Sequence, residues 1–328
     1  MKIALSFCLI LFSHLSFPQS DSNVFLLARK LTQSLENDSL KVAAIYDWVT
    51  SNIQYDASFR RRKMGDTTLT QEPNIVIERQ KAICIGYAKL VRELCLLSQI
   101  NCFIVEGKTK SNGFLDVEGH AWNAVKINGN WYLLDATWGA ADAVLKEKYF
   151  LTTPSVFIQN HLPDDPIWQL LAQTVDFNCF TNNLNCKYKF SSANFFNDTI
   201  EVWLNMDSLT RQYSAAERTL RFNPNNKPAR RDLADYYYKK ALLTLENYNQ
   251  KLKAVQAKKQ AANNKTEMLT LLSETRQNFE SALSEYQIIV AHTKAKEYTD
   301  AHLNVEIIED NLTALETAKA YILKYFKN

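Results

Sequence analysis

Cys84, His120 and Asp135 are the residues whose types could perform thiol acyl transfer. Cys84 immediately precedes a run with helical periodicity, from about Ile85 to Ser98. A thiol at a helix N-terminus faces unpaired backbone N–H groups and the positive end of the dipole, and both favour the thiolate. Gly86 is small enough to let a substrate backbone approach. A lone cysteine near a helix start is more often structural, so the signal depends on the other two residues.

His120 and Asp135 lie in two apolar runs that flank Asn128-Gly129. An Asn-Gly pair between such runs is the strongest short-range signal for a β-hairpin. If residues 120–127 and 130–137 are its strands, His120 and Asp135 are diagonal neighbours on one face, with backbones about 7–8 Å apart. The carboxylate can then orient the imidazole, whose other nitrogen serves a thiol. The alternative is a structural His–Asp pair in the core.

The cysteine count supports a free thiol at Cys84. One of the six cysteines lies in the apolar N-terminal stretch, which leaves five. An odd number in an exported chain predicts one unpaired thiol. Cys179 and Cys186 could form a short bridge. Cys95 and Cys102 could form a second bridge or be two small buried hydrophobic residues.

The N-terminus and the composition indicate an exported globular protein. Residues 1–19 combine Lys2, an apolar run and a break at Pro18, which predicts a signal peptide and a periplasmic or secreted protein. The alternative is an uncleaved N-terminal anchor. No later segment is apolar enough to span a bilayer. The net charge is +3 without a Lys/Arg run, which argues against nucleic acid as a partner.

The order of predicted elements indicates an α+β class, with helices first and an antiparallel sheet after them. A helix is predicted over about 37–51, strands over 100–106 and in the hairpin, and a further strand at 149–151. Three apolar stripes with helical spacing follow residue 207, which predicts a helical bundle or a repeat-like domain. The predicted regions are a signal peptide (1–19), a catalytic domain (20–180), a connecting segment with strands (181–207) and a helical domain (208–328).

Three motifs in this order resemble the transglutaminase-like superfamily, especially its bacterial and kyphoscoliosis-peptidase-like members. They are Ala82-Ile83-Cys84-Ile85-Gly86-Tyr87-Ala88, Gly119-His120-Ala121-Trp122-Asn123-Ala124-Val125, and Trp131-Tyr132-Leu133-Leu134-Asp135-Ala136-Thr137-Trp138-Gly139. His161-Leu162-Pro163 resembles a later segment of the same members. The resemblance covers about residues 38–175. One departure is Ala82, where many members carry glycine.

The resemblance implies a papain-like core, in which a nucleophile helix packs on an antiparallel sheet. Cys84 would be the nucleophile, His120 the general base and acid, and Asp135 the residue that orients the imidazole. Tyr55 is a candidate second oxyanion donor beside the Cys84 N–H. Trp122 and Trp138 would line an acyl-donor groove or simply cover the sheet. Asn123 faces away from His120, so we expect a structural role for it.

These residues predict an exported thiol enzyme that acts on peptide or protein carboxamides through a thioester. The resemblance favours hydrolysis by a peptidase or amidase over cross-linking, because bacterial-type members without an added β-sandwich or calcium site look more like hydrolases. The alternative is a catalytically silent scaffold, which would bind an envelope partner through residues 208–328. Neither a cofactor nor a metal is expected, since the histidines outside the motifs have no ligand-type spacing.

Overall fold

The N-terminal part of the chain is helical and contains the helix that begins at Cys84. The computed structural model describes residues 23–59, 70–182, 197–258, 264–291 and 299–326. The predicted signal peptide lies outside these residues. The first helices are α1 (Asn23–Thr32), α2 (Asp38–Asn52), α3 (Pro73–Arg79) and α4 (Cys84–Leu97).

Two of these helices begin where local sequence signals place them. The Asn37 side chain caps α2 by accepting a hydrogen bond from the Ser39 N–H at 2.7 Å. Pro73 occupies the first turn of α3, where its missing N–H costs no hydrogen bond. The helices predicted over 37–51 and 85–98 are therefore confirmed as α2 and α4, each shifted by one residue at its ends.

A five-stranded sheet follows α4 in the chain. Its strands run in the order β4-β3-β5-β6, and β7 pairs antiparallel with β3 through Thr109 and His161. β4 continues from β3 as a tight antiparallel hairpin. The mixture of helices and an antiparallel sheet confirms the predicted α+β class. The strands are β3 (Cys102–Ser111), β4 (Phe114–Leu115), β5 (His120–Ile127), β6 (Asn130–Leu134) and β7 (His161–Pro163); β1 (Gln54–Tyr55) and β2 (Lys81–Ala82) form a separate parallel pair.

The β5–β6 hairpin turns at Asn128 and Gly129, as predicted. Their φ angles are 49° and 82°, so both central residues are left-handed, as a type I′ turn requires. Glycine adopts this conformation without steric cost, and asparagine tolerates it better than most residues. The turn therefore sets the register of the strand that carries His120.

Short helices surround β7 in the chain after β6. Residues 149–151 were predicted as a strand, which is wrong. Tyr149 is the C-cap residue that follows α6, and Leu151 has a φ of 46°. Only Thr152 pairs with the sheet, as an isolated bridge to Leu133. The short helices are α5 (Ala136–Gly139), α6 (Ala143–Lys148), α7 (Pro154–Phe157), a 3₁₀ turn (Pro166–Gln169) and α8 (Phe177–Thr181).

Two helices, α9 (Asn197–Leu204) and α10 (Ser208–Phe222), come next. Strands were considered for residues 181–207; residues 183–196 lie outside the described chain, and residues 197–204 are helical. Arg218 on α10 binds both carboxylate oxygens of Asp165, with its Nε at 3.0 Å and its Nη2 at 2.7 Å. Trp168 and Trp203 pack edge to face nearby, with centroids 5.9 Å apart. α10 is thereby tied to the 3₁₀ turn that follows β7.

Three long helices end the chain and share one apolar core, as the stripes predicted. Phe279, Tyr286 and Ile308 are among its fully buried members. Arg230 forms an ion pair with Glu285 at 2.6 Å across two of the helices. Among the described helices none has the length and apolar character that a membrane crossing needs. The three helices are α11 (Lys227–Lys258), α12 (Lys265–Ala291) and α13 (Thr299–Tyr325).

Candidate active site

Cys84 is the first residue of α4, and its thiol is free and half-buried. Ile83 before it has extended backbone, and no side chain caps the helix at that point. The helix begins abruptly, with the Gly86 N–H bonded to the Ile83 carbonyl oxygen at 2.8 Å. A thiolate at this position is favoured by the positive end of the helix dipole.

The turn before Cys84 is held by the strand pair β1–β2. Tyr55 pairs with Ala82, and the Asp56 N–H donates to the Ala82 carbonyl oxygen at 2.8 Å. The Tyr87 hydroxyl donates to the Ile53 carbonyl oxygen at 2.6 Å and joins the first turn of α4 to the end of α2. These bonds place Cys84 on rigid backbone.

Asn123 joins α4 to the sheet. Its side chain is buried, and its Nδ2 donates to the Ala88 carbonyl oxygen at 2.9 Å. This contact connects the strand of His120 with the helix of Cys84. The structural role expected for Asn123 is confirmed.

Asp135 is the N-cap of α5, which corrects the sequence-based expectation. Residues 130–137 were predicted as one strand, but β6 ends at Leu134. The Asp135 Oδ1 accepts the backbone N–H groups of Thr137 at 2.8 Å and Trp138 at 3.1 Å. An aspartate followed by free N–H groups favours a helix start over a continued strand. The second strand of the hairpin is therefore shorter than predicted, because Thr137 is helical.

Asp135 is fully buried, and Tyr46 contacts its backbone. The Tyr46 hydroxyl donates to the Asp135 carbonyl oxygen at 3.2 Å and to that of Lys146 at 3.1 Å. Burial, followed by the charge of Asp135, raises the pKa of Tyr46, so its hydroxyl stays protonated. Gly139 is required here, because a Cβ at this position would clash with the Tyr46 hydroxyl.

His120, Asp135 and His161 form a cluster in which one side-chain ligand atom of each lies within 4.8 Å of the other two. The side chains of His120 and Asp135 thus lie near each other, although a helix cap and not a strand position brings Asp135 there. The Nδ1 of His161 lies 2.8 Å from the Asn160 Oδ1, which leaves its Nε2 as the second nitrogen. Sequence reasoning assigned no role to His161, whose only signal was its place in the His-Leu-Pro motif.

The cluster can orient a general base but does not include the thiol. A carboxylate fixed by two backbone N–H groups is a strong acceptor for an imidazole N–H. It can hold His120 in one tautomer, which is the role of the acid in a thiol triad. The Cys84 sulfur is not a member of the 4.8 Å group. The catalytic roles of the three predicted residues stay a prediction.

Comparisons with known proteins place part of the chain in a known superfamily. The family described as the transglutaminase-like superfamily matches residues 26–136, a range that contains Cys84, His120 and Asp135. The chain contains a transglutaminase-like domain. Human kyphoscoliosis peptidase is 34% identical over 179 residues, which cover 50% of this chain and 27% of that protein. Hillarin from Drosophila melanogaster is 27% identical over 195 residues, with 51% and 23% covered.

The chain spans about a quarter of the length of these curated relatives. A solved structure of a TGase is 21% identical and covers 39% of this chain and 35% of that chain, with a TM-score of 0.30. A score this low supports no argument about the fold. The transglutaminase-like domain is therefore assigned from the family match and the curated relatives.

The cluster in the transglutaminase-like domain also has the donor set of a metal site. Two imidazoles and one carboxylate suit Zn²⁺, which often takes three protein ligands and a water. Asn160 and the backbone N–H groups on Asp135 are the outer contacts that typically orient such ligands. These residues fit a metal, but the same contacts serve a His–Asp pair equally well. The expectation that the enzyme works without a metal stays a prediction.

The predicted groove residues of the transglutaminase-like domain differ in exposure. Tyr55 is 45% exposed, next to the turn that precedes Cys84. Trp138 is half-buried and packs edge to face on Tyr149, with centroids 5.1 Å apart. Trp122 is 1% exposed, which favours the alternative that it covers the sheet. Tyr55 and Trp138 remain candidates for substrate contact.

The remaining cysteines fall into two groups. Cys95 and Cys102 are free thiols, 0% and 1% exposed, so the structure favours the buried-thiol alternative over a second bridge. Burial, followed by the hydrogen bond with Cys95, raises the pKa of Cys102. Cys179 is disulfide-bonded, and its predicted partner Cys186 lies outside the described residues.

Proposed function

We propose that this chain is an exported thiol enzyme that cleaves peptide or protein carboxamides, as a peptidase or amidase rather than a cross-linker. The observation that carries the proposal is the proximity of the His120 and Asp135 side chains, whose ligand atoms lie within 4.8 Å, on a domain whose nucleophile candidate begins a helix. The match to the transglutaminase-like superfamily supports a cysteine-type enzyme in general. The relatives named peptidases support hydrolysis as the outcome.

The proposed reaction has two steps. The Cys84 sulfur, after giving its proton to His120, attacks the carbonyl carbon, and the C–N bond breaks as His120 protonates the leaving amine. Water then attacks the thioester carbon while His120 accepts its proton, which releases the acid and restores the thiol. Asp135 stabilises the imidazolium in both steps. A primary amine in place of water would give a cross-link.

Export is the second part of the proposal. The disulfide of Cys179 supports it, because structural disulfides are rare in reducing compartments. Fractionation of the cells, combined with mass spectrometry of the N-terminal peptide, tests it. We expect a mature chain that starts near residue 20. A full-length chain in the cytoplasmic fraction would contradict export.

The test of the enzyme is incubation with a peptide library and a primary amine, followed by mass spectrometry. We expect cleaved or deamidated peptides with little amine incorporation, and no product with Cys84→Ala. Asp135→Asn is the matched variant, because its Oδ1 can still accept the Thr137 and Trp138 N–H groups while it loses the charge. We expect it to lose about 10⁴-fold in kcat, by analogy with other triads. Equal product from wild type and Cys84→Ala would reject the thiol mechanism.

A second candidate is a silent scaffold that binds an envelope partner through residues 208–328. The observation that favours it is the apolar core that the three long helices share, which makes this region a substantial structure of its own. A scaffold would give no product in the library assay, and Cys84→Ala would leave partner capture unchanged. Deletion of residues 208–328 is not a clean test, because Arg218 is tied to Asp165.

A further inference from the structure

The Gln71 side chain lies against the first turn of the nucleophile helix. Its Oε1 accepts a hydrogen bond from the Ile83 N–H at 3.0 Å, and the residue is 8% exposed. Ile83 immediately precedes Cys84 and is the N-cap residue of α4. The amide of Gln71 therefore anchors the peptide group next to the one that carries the thiol.

Gly86 makes room for this contact. A Cβ at position 86 would clash with the Gln71 Oε1 and would lie 2.8 Å from the Ala82 Cβ. The sequence suggested that the small residue admits a substrate backbone. In the structure the Gln71 amide occupies that space, so Gly86 serves the anchor.

The peptide group between Ala82 and Ile83 is held on both sides: its N–H donates to Gln71, and its carbonyl oxygen accepts from the backbone of Asp56. The N-cap position of α4 has no side-chain hydrogen bond of its own. β2 holds the chain only as far as Ala82, whose carbonyl oxygen accepts the Asp56 N–H. Gln71 therefore holds the N–H side of a peptide group whose carbonyl side is held by backbone, and its amide is the part of this hold that a substitution can remove.

The neighbouring contact is of a different kind. Glu72 binds Lys89 on α4 at 2.7 Å, but the two side chains are 60% and 35% exposed. Exposed ion pairs contribute little, whereas a buried N–H that loses its acceptor is unfavourable. Glu72 therefore offers a matched control next to Gln71.

We propose that Gln71 is a positioning residue that holds the Cys84 turn in its reactive orientation. Its effect on turnover rests on the proposed function; its effect on thiol reactivity does not. Loss of the anchor lets the turn rotate, and small misplacements of a nucleophile lower rates strongly.

The test compares Gln71→Met, Gln71→Glu and Glu72→Gln in the full chain. Two rates are measured against pH: alkylation of Cys84 by iodoacetamide, followed by peptide mass spectrometry, and kcat/KM on a cleaved library peptide. Gln71→Met keeps the length of the side chain and loses the acceptor, so we expect both rates to fall at least tenfold at every pH. Gln71→Glu keeps the acceptor, so its rates should recover at high pH. The charge of the introduced carboxylate disfavours a thiolate nearby, so the acid limb of both pH profiles should move to higher pH. Glu72→Gln should match wild type.

A second variant keeps the test informative if Gln71→Met folds poorly. Gly86→Ala displaces the Gln71 amide without changing its chemistry, and should slow alkylation as Gln71→Met does. When Gly86→Ala is combined with Gln71→Ala, it should lower the alkylation rate by a smaller factor than it does alone. The reason is that the amide group it displaces is absent in the double variant. Wild-type alkylation rates in folded Gln71→Met, or additive effects in the double variant, would overturn the proposal. If the wild-type chain shows no turnover but Gln71→Met still slows the alkylation of Cys84, the proposed function is rejected. The positioning role of Gln71 is then still supported.

Discussion

The imidazole rings of His120 and His161 lie 5.7 Å apart between centroids, on strands that are distant in the sequence. β3 joins them, because it pairs with β7 and neighbours β5 in the sheet. The other side of His161 packs on Phe157, with centroids 4.2 Å apart. A second buried imidazole therefore borders the His120–Asp135 pair, and its nitrogens can influence how Asp135 orients His120.

Replacement of His161 by Phe should separate this effect from packing. Phenylalanine keeps an aromatic ring on Phe157 but removes both nitrogens, so we expect kcat/KM to fall about tenfold, or about 1.4 kcal/mol in the barrier. Steady-state kinetics on a library peptide measure it. Phe157→Leu is the control. It should lower the free energy of unfolding by about 1 kcal/mol and leave kcat/KM near the wild-type value. If His161→Phe retains full activity, the second imidazole has only a structural role.

Metal ions should inhibit the enzyme rather than support it. His120 and Asp135 can serve the Cys84 triad only while no metal ion binds their side-chain nitrogen and oxygen atoms. Both residues belong to the group whose donor atoms suit Zn²⁺. We expect EDTA to leave kcat unchanged and added Zn²⁺ to abolish turnover reversibly. The inhibition should weaken in His161→Phe, which lacks one donor. Loss of activity with EDTA, restored by Zn²⁺, would mean that the protein is a metalloenzyme.

Local signals in the sequence predicted the elements that carry Cys84 and His120. The apolar spacing after Cys84 identified α4, and Asn128-Gly129 identified the hairpin because only a few residues accept positive φ. Asp135 was placed in the strand because the apolar run continues past it. Capping of two N–H groups outweighed that pattern and ended β6 at Leu134, three residues before the predicted end.

The position of His161 could not be predicted from local patterns. It reaches the candidate site only because β7 pairs with β3 in the sheet, a non-local contact that leaves no periodicity in the chain. Gln71 is similar, because its contact with Ile83 crosses from the segment before α3 to the start of α4. Both residues support the predicted triad from outside its motifs.

The three described free thiols should differ sharply in reactivity. Cys84 is half-buried at a helix start, whereas Cys95 and Cys102 are fully buried. The pKa of Cys102 is raised, so it supplies little thiolate at neutral pH. We expect iodoacetamide to label Cys84 at least about tenfold faster than the other two in the native protein.

Peptide mass spectrometry before and after unfolding in urea measures these rates. In urea all three thiols should label at similar rates, which controls for differences in peptide detection. Native labelling of Cys95 or Cys102 as fast as Cys84 would show that the region between α4 and β3 opens readily.

Asp164 should make the protein less stable as the pH rises. Burial raises the pKa of Asp164, although its hydrogen bond with Asn226 and the charge of Lys108 oppose the shift. A carboxyl group whose pKa is higher in the folded state binds more protons there than in the unfolded chain. Its contribution to stability is therefore complete below its ordinary pKa, near pH 4, and is lost as the pH rises through the folded value.

Asp164→Asn removes this dependence, because the amide is neutral at every pH and can still bond to Asn226. We expect the variant to have a higher free energy of unfolding than wild type at about pH 7, and the difference to shrink towards about pH 4. Urea unfolding at both pH values measures it, with the exposed Asp310→Asn as the control. If Asp164→Asn destabilises the protein equally at both pH values, the charged carboxylate is required for packing beside β7, and burial does not dominate its energetics.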